Sequence, residues 1–114
     1  MPIREAKETE AEFLSDLAFR SKAYWGYSKD FIMACKEELS VTKQDILNET
    51  FDYLVYEQNE EVRGFYALER ISYTEVELEA LFVHPSFIGT GIGKLLLTHA
   101  VASANEIGVR LNLP

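Results

Sequence analysis

The segment Leu81-Phe82-Val83-His84-Pro85-Ser86-Phe87-Ile88-Gly89-Thr90-Gly91-Ile92-Gly93-Lys94 carries the clearest signal in this sequence. It starts as an apolar strand, passes a proline and ends in three glycines that alternate with other residues. Apolar residues at helical spacing follow from Ile92 and predict a long helix that stops near Gly108. Glycines let a backbone approach a ligand closely, and the free N–H groups of a helix start favour phosphate. We therefore expect an anionic ligand at this turn.

Two common nucleotide-binding motifs do not fit the spacing of these glycines. A dinucleotide fingerprint of the form GxGxxG needs a glycine where Lys94 or Leu96 stands. A P-loop ending at Lys94 needs a glycine at Ile88 and a serine or threonine at Leu95. The dinucleotide-fingerprint and P-loop interpretations of the glycine-rich turn therefore lose support.

The rest of the chain predicts a mixed α/β (α+β) fold in the order β-α-α-β-β-β-α-β. Thr9 and Glu12 suggest a capping box at the first helix, and Ser28 suggests a cap for the second. The last strand follows a helix, so it should lie parallel to the strand before that helix. The predicted elements are strand 3–6, helices 10–21 and 28–39, hairpin strands 51–56 and 62–71 around a turn at 58–61, strand 75–83, helix 92–107 and strand 109–113.

Composition limits the kind of protein and its surroundings. With 114 residues, 47% of them hydrophobic, the chain suits one domain over residues 1–114. Its net charge of -8 would repel a phosphate backbone, which argues against nucleic acid as a partner. It has no run of about 20 apolar residues and no signal peptide. Its single cysteine, Cys35, fits a reducing compartment, so we expect a cytoplasmic protein with no membrane partner.

The glycine-rich turn resembles the pyrophosphate-binding motif of the GNAT superfamily of N-acetyltransferases. That motif reads Gln or Arg, two residues, Gly, one residue, then Gly or Ala, after a strand that ends in valine. Gly91 and Gly93 match its last two required positions, Gly89 matches a common extra glycine, and Val83 matches the strand end. Ile88 departs from the pattern at the Gln or Arg position. The element order and the segment between the first two helices are also similar to small family members.

The resemblance implies acetyl-CoA as cosubstrate and a direct transfer of its acetyl group to a primary amine of a small molecule or peptide. The pyrophosphate would lie on the glycine-rich turn, and the pantetheine arm would pair with backbone groups at the end of the preceding strand. The residues implied in cofactor binding are Phe82, Val83, Ile88, Gly89, Thr90, Gly91, Ile92, Gly93 and Lys94.

Family members often use a glutamate on that strand to take the proton of the amine, and here Glu77 and Glu79 are the candidates. Strict alternation would place both on one face and Leu78, Ala80 and Phe82 on the other. A solvated strand face explains the two glutamates equally well.

An aromatic group, Tyr24, Trp25 and Tyr27, lies between the first two helices and is a candidate acceptor site. Packing in the core is an equally good explanation for three neighbouring aromatic residues.

Family members usually continue with a further helix and a closing hairpin, which this sequence lacks. Val109, Leu111 and Leu113 would then form an exposed strand edge, and a two-fold homodimer is the simplest way to cover it. A stable monomer is the alternative. The missing elements also leave open a second function, a non-catalytic acyl-CoA-binding or interaction module.

Overall fold

A computed structural model describes residues 2–113 and contains five strands, four α-helices and two short 3-10 helices. The two 3-10 helices are Glu8–Glu10 and Pro85–Phe87. The remaining elements, in chain order, are β1 (Ile3–Glu5), α1 (Ala11–Tyr24), α2 (Lys29–Leu39), α3 (Lys43–Leu47), β2 (Phe51–Gln58), β3 (Glu61–Arg70), β4 (Glu75–Val83), α4 (Ile92–Ile107) and β5 (Arg110–Asn112).

The five strands form one mixed sheet in the order β1-β2-β3-β4-β5. The first four strands pair antiparallel, and β5 pairs parallel to β4, as the crossover through α4 predicts. The turn between β2 and β3 places Asn59 and Glu60 at positive φ, the geometry that suits a tight hairpin. The predicted mixed fold is confirmed.

Helices cover both faces of the sheet. On one face, α1 and α2 bury Leu14, Leu17 and Cys35 against Val55 and Phe65. On the other face, α4 buries a second cluster, whose members include Tyr56, Tyr66, Leu68, Val76, Leu78, Ile92, Leu96, Ala100 and Ala104. The sheet is therefore the middle layer of three, with α1 and α2 on one face and α4 on the other.

The start of α4 sits unusually close to the sheet at Gly64. A Cβ at this position would lie 2.9 Å from the Phe82 carbonyl oxygen and 3.0 Å from a methyl carbon of Leu96. Only glycine fits without a shift of these neighbours. This close contact fixes the beginning of α4, and the glycine-rich turn before it, against β3 and β4.

The helix starts differ in part from the sequence predictions. The Ser28 hydroxyl accepts the Phe31 N–H at 3.2 Å, so the predicted cap of α2 is confirmed. The cap at Thr9 is wrong, because the Glu10 carboxylate accepts the Lys7 N–H instead and α1 begins at Ala11. The short α3 was not predicted, although Thr42 starts it with a reciprocal capping box.

Strand β5 is the outer strand of the sheet next to β4 and pairs with it only opposite Glu75–Glu77. The homodimer expected at this edge stays a prediction. No helix within residues 2–113 is long and apolar enough to cross a bilayer.

Candidate functional site

The glycine-rich turn has the backbone geometry of an anion cradle. Gly89 and Gly91 have φ values of 88° and 90°, a conformation that residues with a side chain rarely adopt, and Gly91 is the N-cap of α4. Within residues 2–113, no oxygen accepts a hydrogen bond from the N–H groups of Gly91, Ile92, Gly93 and Lys94. Four unpaired donors at the positive end of a 16-residue helix can hold a phosphate.

A cavity of about 330 Å³ opens onto this turn. It is lined by Leu81 and Val83 of β4, by Ser21 of α1 and by Trp25, the residue that caps the C-terminal end of α1. Six residues predicted to bind the cofactor line it: Val83, Ile88, Gly89, Gly91, Gly93 and Lys94. The structure thus brings most of the predicted set together around one space, which we call the glycine-turn cavity.

Three of the predicted cofactor residues do not line this cavity. The Thr90 hydroxyl donates to the Phe87 carbonyl and is used within the turn. The Ile92 side chain is buried between α4 and the sheet, so only its N–H group can face a ligand. Phe82 directs its ring to the opposite face of the sheet, where it packs 5.8 Å from the ring of Phe65. A cofactor role for these residues would have to come from their backbone atoms.

A β-bulge interrupts β4 at Glu79. Ala67 of β3 lies opposite Ala80, and its neighbour Leu68 lies opposite Leu78, so Glu79 is the extra residue. The insertion reverses the alternation of faces. Leu78 packs under α4, whereas Ala80 and Phe82 face α1 and α2. The sequence prediction that put Leu78, Ala80 and Phe82 on one face is therefore wrong.

The bulge groups three carboxylates. Glu69 of β3 lies directly opposite Glu77 of β4, and one carboxylate oxygen from each of Glu69, Glu77 and Glu79 lies within 4.8 Å of the other two. Glu79 is an exposed residue, but partial desolvation of its carboxyl, followed by hydrogen bonding to Glu69 and Glu77 and their negative charge, raises its pKa to about 7. The ordinary value is 4.5, so Glu79 can exchange a proton near neutral pH.

Glu79 lines a second and larger cavity of about 540 Å³, here called the carboxylate cavity. Its lining combines acidic groups with aromatic rings, and Lys22 is the only basic residue among them. Burial, followed by the charges of Asp45, Glu79 and Glu69, raises the pKa of Tyr53 in its wall to about 12. The wall also includes Glu38, Asp45, Phe51, Phe65 and Phe82. This space suits a ligand with apolar and positively charged parts.

The aromatic group at the end of α1 and in the following connection is not part of the core. Tyr24, Trp25 and Tyr27 are 55%, 63% and 50% exposed, so core packing does not explain them. Only Trp25 of the three lines either of the two cavities, and it belongs to the glycine-turn cavity. Tyr27 packs 5.0 Å from the Phe31 ring with the Lys22 ammonium near both rings.

Two residues of these cavities were not singled out by sequence reasoning. Glu69 joins the carboxylate group only through strand pairing, which no local pattern reveals. Ser21 reaches the glycine-turn cavity from α1, where a buried helical serine gives no sequence signal of its own.

Strand β4 connects the two cavities. Leu81 and Val83 face the glycine-turn cavity, whereas Glu79, Ala80 and Phe82 face the carboxylate cavity. Beyond Glu77, the strand has no β5 partner in the described chain, so its outer edge offers free backbone groups. An anionic ligand on the turn could extend along this edge and place its end near Glu79.

The mixed sheet β1-β2-β3-β4-β5 and the free N–H groups at the start of α4 together define an α/β protein that can bind an anionic ligand. The family model of the GNAT acetyltransferase domain matches residues 49–113, more than half of the chain. The chain belongs to this family. No curated protein gives a match to the chain by sequence.

Solved structures share the fold. The PaiA N-acetyltransferase from Thermoplasma acidophilum, in complex with coenzyme A, is 25% identical with a TM-score of 0.83 over 97% of this chain and 76% of that chain. An acetyltransferase from Vibrio fischeri is 16% identical with a TM-score of 0.71, over 97% of this chain and 94% of that one. An aminoglycoside 6'-N-acetyltransferase complexed with coenzyme A is 21% identical with a TM-score of 0.68. The match covers 99% of this chain and 61% of that chain.

Proposed function

We propose that this chain is an acetyl-CoA-dependent N-acetyltransferase that acts on a primary amine of a small molecule or peptide. The observation that carries the proposal is the position of β4, which lines a cavity at the anion cradle on one face and holds Glu79 on the other. The coenzyme A in the complex of the PaiA relative supports the choice of cosubstrate.

The free N–H groups at the start of α4 would bind the pyrophosphate of acetyl-CoA. Backbone donors explain how a chain with a net charge of -8 can hold a polyanion, since they add no titratable charge and Lys94 supplies one cation nearby. The pantetheine arm would then run along the edge of β4 that β5 leaves free, toward the bulge at Glu79.

The transfer itself would be a direct attack. The amine nitrogen forms a bond to the thioester carbonyl carbon, the carbon–sulfur bond breaks, and coenzyme A leaves as the thiolate. Glu79 accepts the proton that the amine must lose, either directly or through a water molecule. A pKa near 7 suits this role, because the carboxylate is then both substantially ionised and basic enough at neutral pH. A backbone N–H of β4 would stabilise the oxyanion.

The acceptor would enter through the carboxylate cavity. Amines reach an enzyme mainly as ammonium ions, and the negative groups at Glu38, Asp45 and Glu79 favour a positive charge in this space. The rings of Phe51 and Tyr53 would cover apolar parts of the acceptor.

Two assays test the proposal. Calorimetry should detect acetyl-CoA binding, and release of the coenzyme A thiol in the presence of a panel of primary amines should detect transfer. Binding with turnover supports an enzyme. Binding without turnover for any amine would instead favour a non-catalytic acyl-CoA-binding module, and no binding would contradict both functions.

Gly93 allows a sharp test of the cradle. Its φ is not positive, and a Cβ there would lie 3.6 Å from a methyl carbon of Val83, in ordinary contact. Gly93→Val should therefore fold, but its branched side chain would fill the cavity and weaken acetyl-CoA binding by roughly tenfold or more. Ala102→Val, at an exposed position of the same helix, is the control for adding a β-branched residue. Equal affinity in both variants would contradict the site.

A further inference from the structure

Arg63 of β3 contacts the segment that leads from β4 into the glycine-rich turn. Its guanidinium carbon lies 4.3 Å from the centre of the Phe87 ring, and its backbone carbonyl accepts the His84 N–H at 2.8 Å. Phe87 is the last residue of the 3-10 helix that follows His84. One residue of β3 therefore holds the connection between β4 and α4 at two points, through its main chain and through its side chain.

The Arg63 side chain is fixed by the β2–β3 hairpin. Its Nε donates to a carboxylate oxygen of Glu61 and its Nη1 donates to the side-chain oxygen of Gln58, both at 3.2 Å. The Arg63 side chain is 17% exposed, whereas the side chain of Arg70 at the other end of β3 is 55% exposed. A partly desolvated guanidinium interacts more strongly with an aromatic face than an exposed one does. The hairpin thus keeps a cation in contact with the Phe87 ring.

Phe87 connects Arg63 to the anion cradle. Phe87 lines the glycine-turn cavity, whereas Arg63 lies outside the lining that residues 2–113 form. The Phe87 carbonyl accepts the Thr90 N–H at 3.3 Å and also accepts the Thr90 hydroxyl. Thr90 stands between Gly89 and Gly91, the two residues of the turn at positive φ. The position of Phe87 therefore determines the position of the turn.

A glycine-rich turn has many accessible conformations, and ordering it around a ligand costs entropy. A contact that orders the turn in the free protein lowers this cost and strengthens binding without touching the ligand. We propose that Arg63 is a positioning residue that orders the glycine-rich turn, through the Phe87 ring, for the pyrophosphate of acetyl-CoA. This inference rests on the proposed function.

Calorimetry with coenzyme A measures the contribution of Arg63. Arg63→Ala should weaken binding by roughly tenfold, because the turn loses the contact that orders it. Arg70→Ala, which removes an arginine from the other end of the same strand, is the matched control and should leave the affinity unchanged. Unchanged affinity in Arg63→Ala would overturn the inference.

A double-mutant cycle shows whether Arg63 acts through the ring. Phe87→Leu keeps an apolar side chain but removes the aromatic face, so Arg63→Ala should weaken binding by less than about twofold in this background. An equal loss in both backgrounds would overturn the proposal, because Arg63 would then act independently of Phe87. The effect of Arg63→Ala should also be the same at about 0.05 M and about 0.5 M salt, since screening weakens only long-range attraction. An effect that disappears at the higher salt concentration would equally contradict the proposed role.

Arg63→Lys keeps the test decisive if a thermal melt shows that Arg63→Ala does not fold. Lysine retains the charge and an alkyl stem, but it cannot present a planar fork to Glu61 and Gln58. It should weaken coenzyme A binding by roughly threefold, and should do so only while the Phe87 ring is present. Wild-type affinity in Arg63→Lys would overturn the inference, while binding by the wild type still supported the proposed function. Failure of the wild-type chain to bind coenzyme A would contradict both.

Discussion

Two groups of glutamate carboxylates in this molecule have opposite surroundings, and the pKa is lowered in one group and raised in the other. Near β1, the Arg4 guanidinium binds Glu10 and Glu57, each at 2.8 Å. Glu69, Glu77 and Glu79 gather at the β3–β4 pair without a cation, since no ion pair within residues 2–113 involves them. The first group ties chain segments together, and the second keeps an uncompensated charge next to a cavity.

The pKa values follow from this difference. A hydrogen bond from Arg4 is the largest cause that lowers the pKa of Glu10, which stays ionised. Partial desolvation and two neighbouring carboxylates raise the pKa of Glu79 to about 7, so Glu79 itself is partly protonated near neutral pH. A paired carboxylate stabilises a fold, whereas a crowded one is available for proton transfer.

Removing the carboxylate of Glu79 should have the largest effect on activity. We expect Glu79→Gln to reduce turnover by about 10²- to 10⁴-fold, the usual contribution of general base catalysis, with little change in acetyl-CoA affinity. Glu57→Gln, in the paired group, should leave turnover unchanged. Steady-state kinetics with calorimetry separates the two effects. Equal losses of turnover and affinity would indicate structural damage, and no loss in either Glu79→Gln or Glu77→Gln would mean that another group takes the proton.

Removing one neighbouring charge should move the pH dependence of the reaction. In the wild type, kcat/KM should rise with pH through about 7, because the role proposed for Glu79 requires its deprotonated form. Glu69→Gln takes away a negative neighbour, so the pKa of Glu79 should fall toward 4.5 and the midpoint of the profile should move to lower pH. Glu10→Gln should leave the midpoint in place. If the midpoint did not move in Glu69→Gln, the pH profile would not be controlled by the carboxylates of Glu69, Glu77 and Glu79.

The smallest effects should appear in thermal stability, with opposite signs for the two groups. The folded pKa of Glu79 lies above its ordinary 4.5, so its stabilising contribution is present below 4.5 and is lost as the pH rises through about 7. Glu79→Gln should therefore gain Tm relative to the wild type between these pH values. The pKa of Glu10 is lowered, so its contribution is present above 4.5 and is lost at more acidic pH.

Thermal melts of the wild type and both variants across pH 3–8 measure these slopes. Relative to the wild type, Glu10→Gln should be less stable at neutral pH and similar at the acid end. Parallel curves for all three chains would show that neither group is coupled to folding.

The sequence predicted the parts of the fold that local patterns control. Strand β4 and helix α4 have the predicted bounds. Pro85 limits the C-terminal end of β4, and Gly108, with a φ of 75°, ends α4. The five-residue α3 is too short for a periodic pattern, although the capping pair Thr42 and Asp45 was a readable signal. Most of the predicted glycine-turn residues surround one cavity for the same local reason, since the turn and the helix start are continuous in sequence.

The remaining parts of the site depend on contacts between distant segments. The bulge at Glu79 exists only relative to β3, and alternation along β4 alone gave the wrong faces beyond Leu78. Glu69 meets Glu77 through register, and Ser21 reaches β4 through helix packing. Such relations are set by how the three layers assemble, and no local spacing encodes them.

The titration of Glu79 tests the central claim most directly. Carbon-13 NMR of the glutamate side chains across pH 3–9, assigned by the loss of one resonance in Glu79→Gln, would give its pKa without any need for a substrate. We predict a midpoint near 7 that moves lower in Glu69→Gln, while Glu10 titrates below 4.5. A midpoint for Glu79 at its ordinary value of 4.5 would contradict the account, because the β4 carboxylates would then be a solvated strand face and not a proton acceptor.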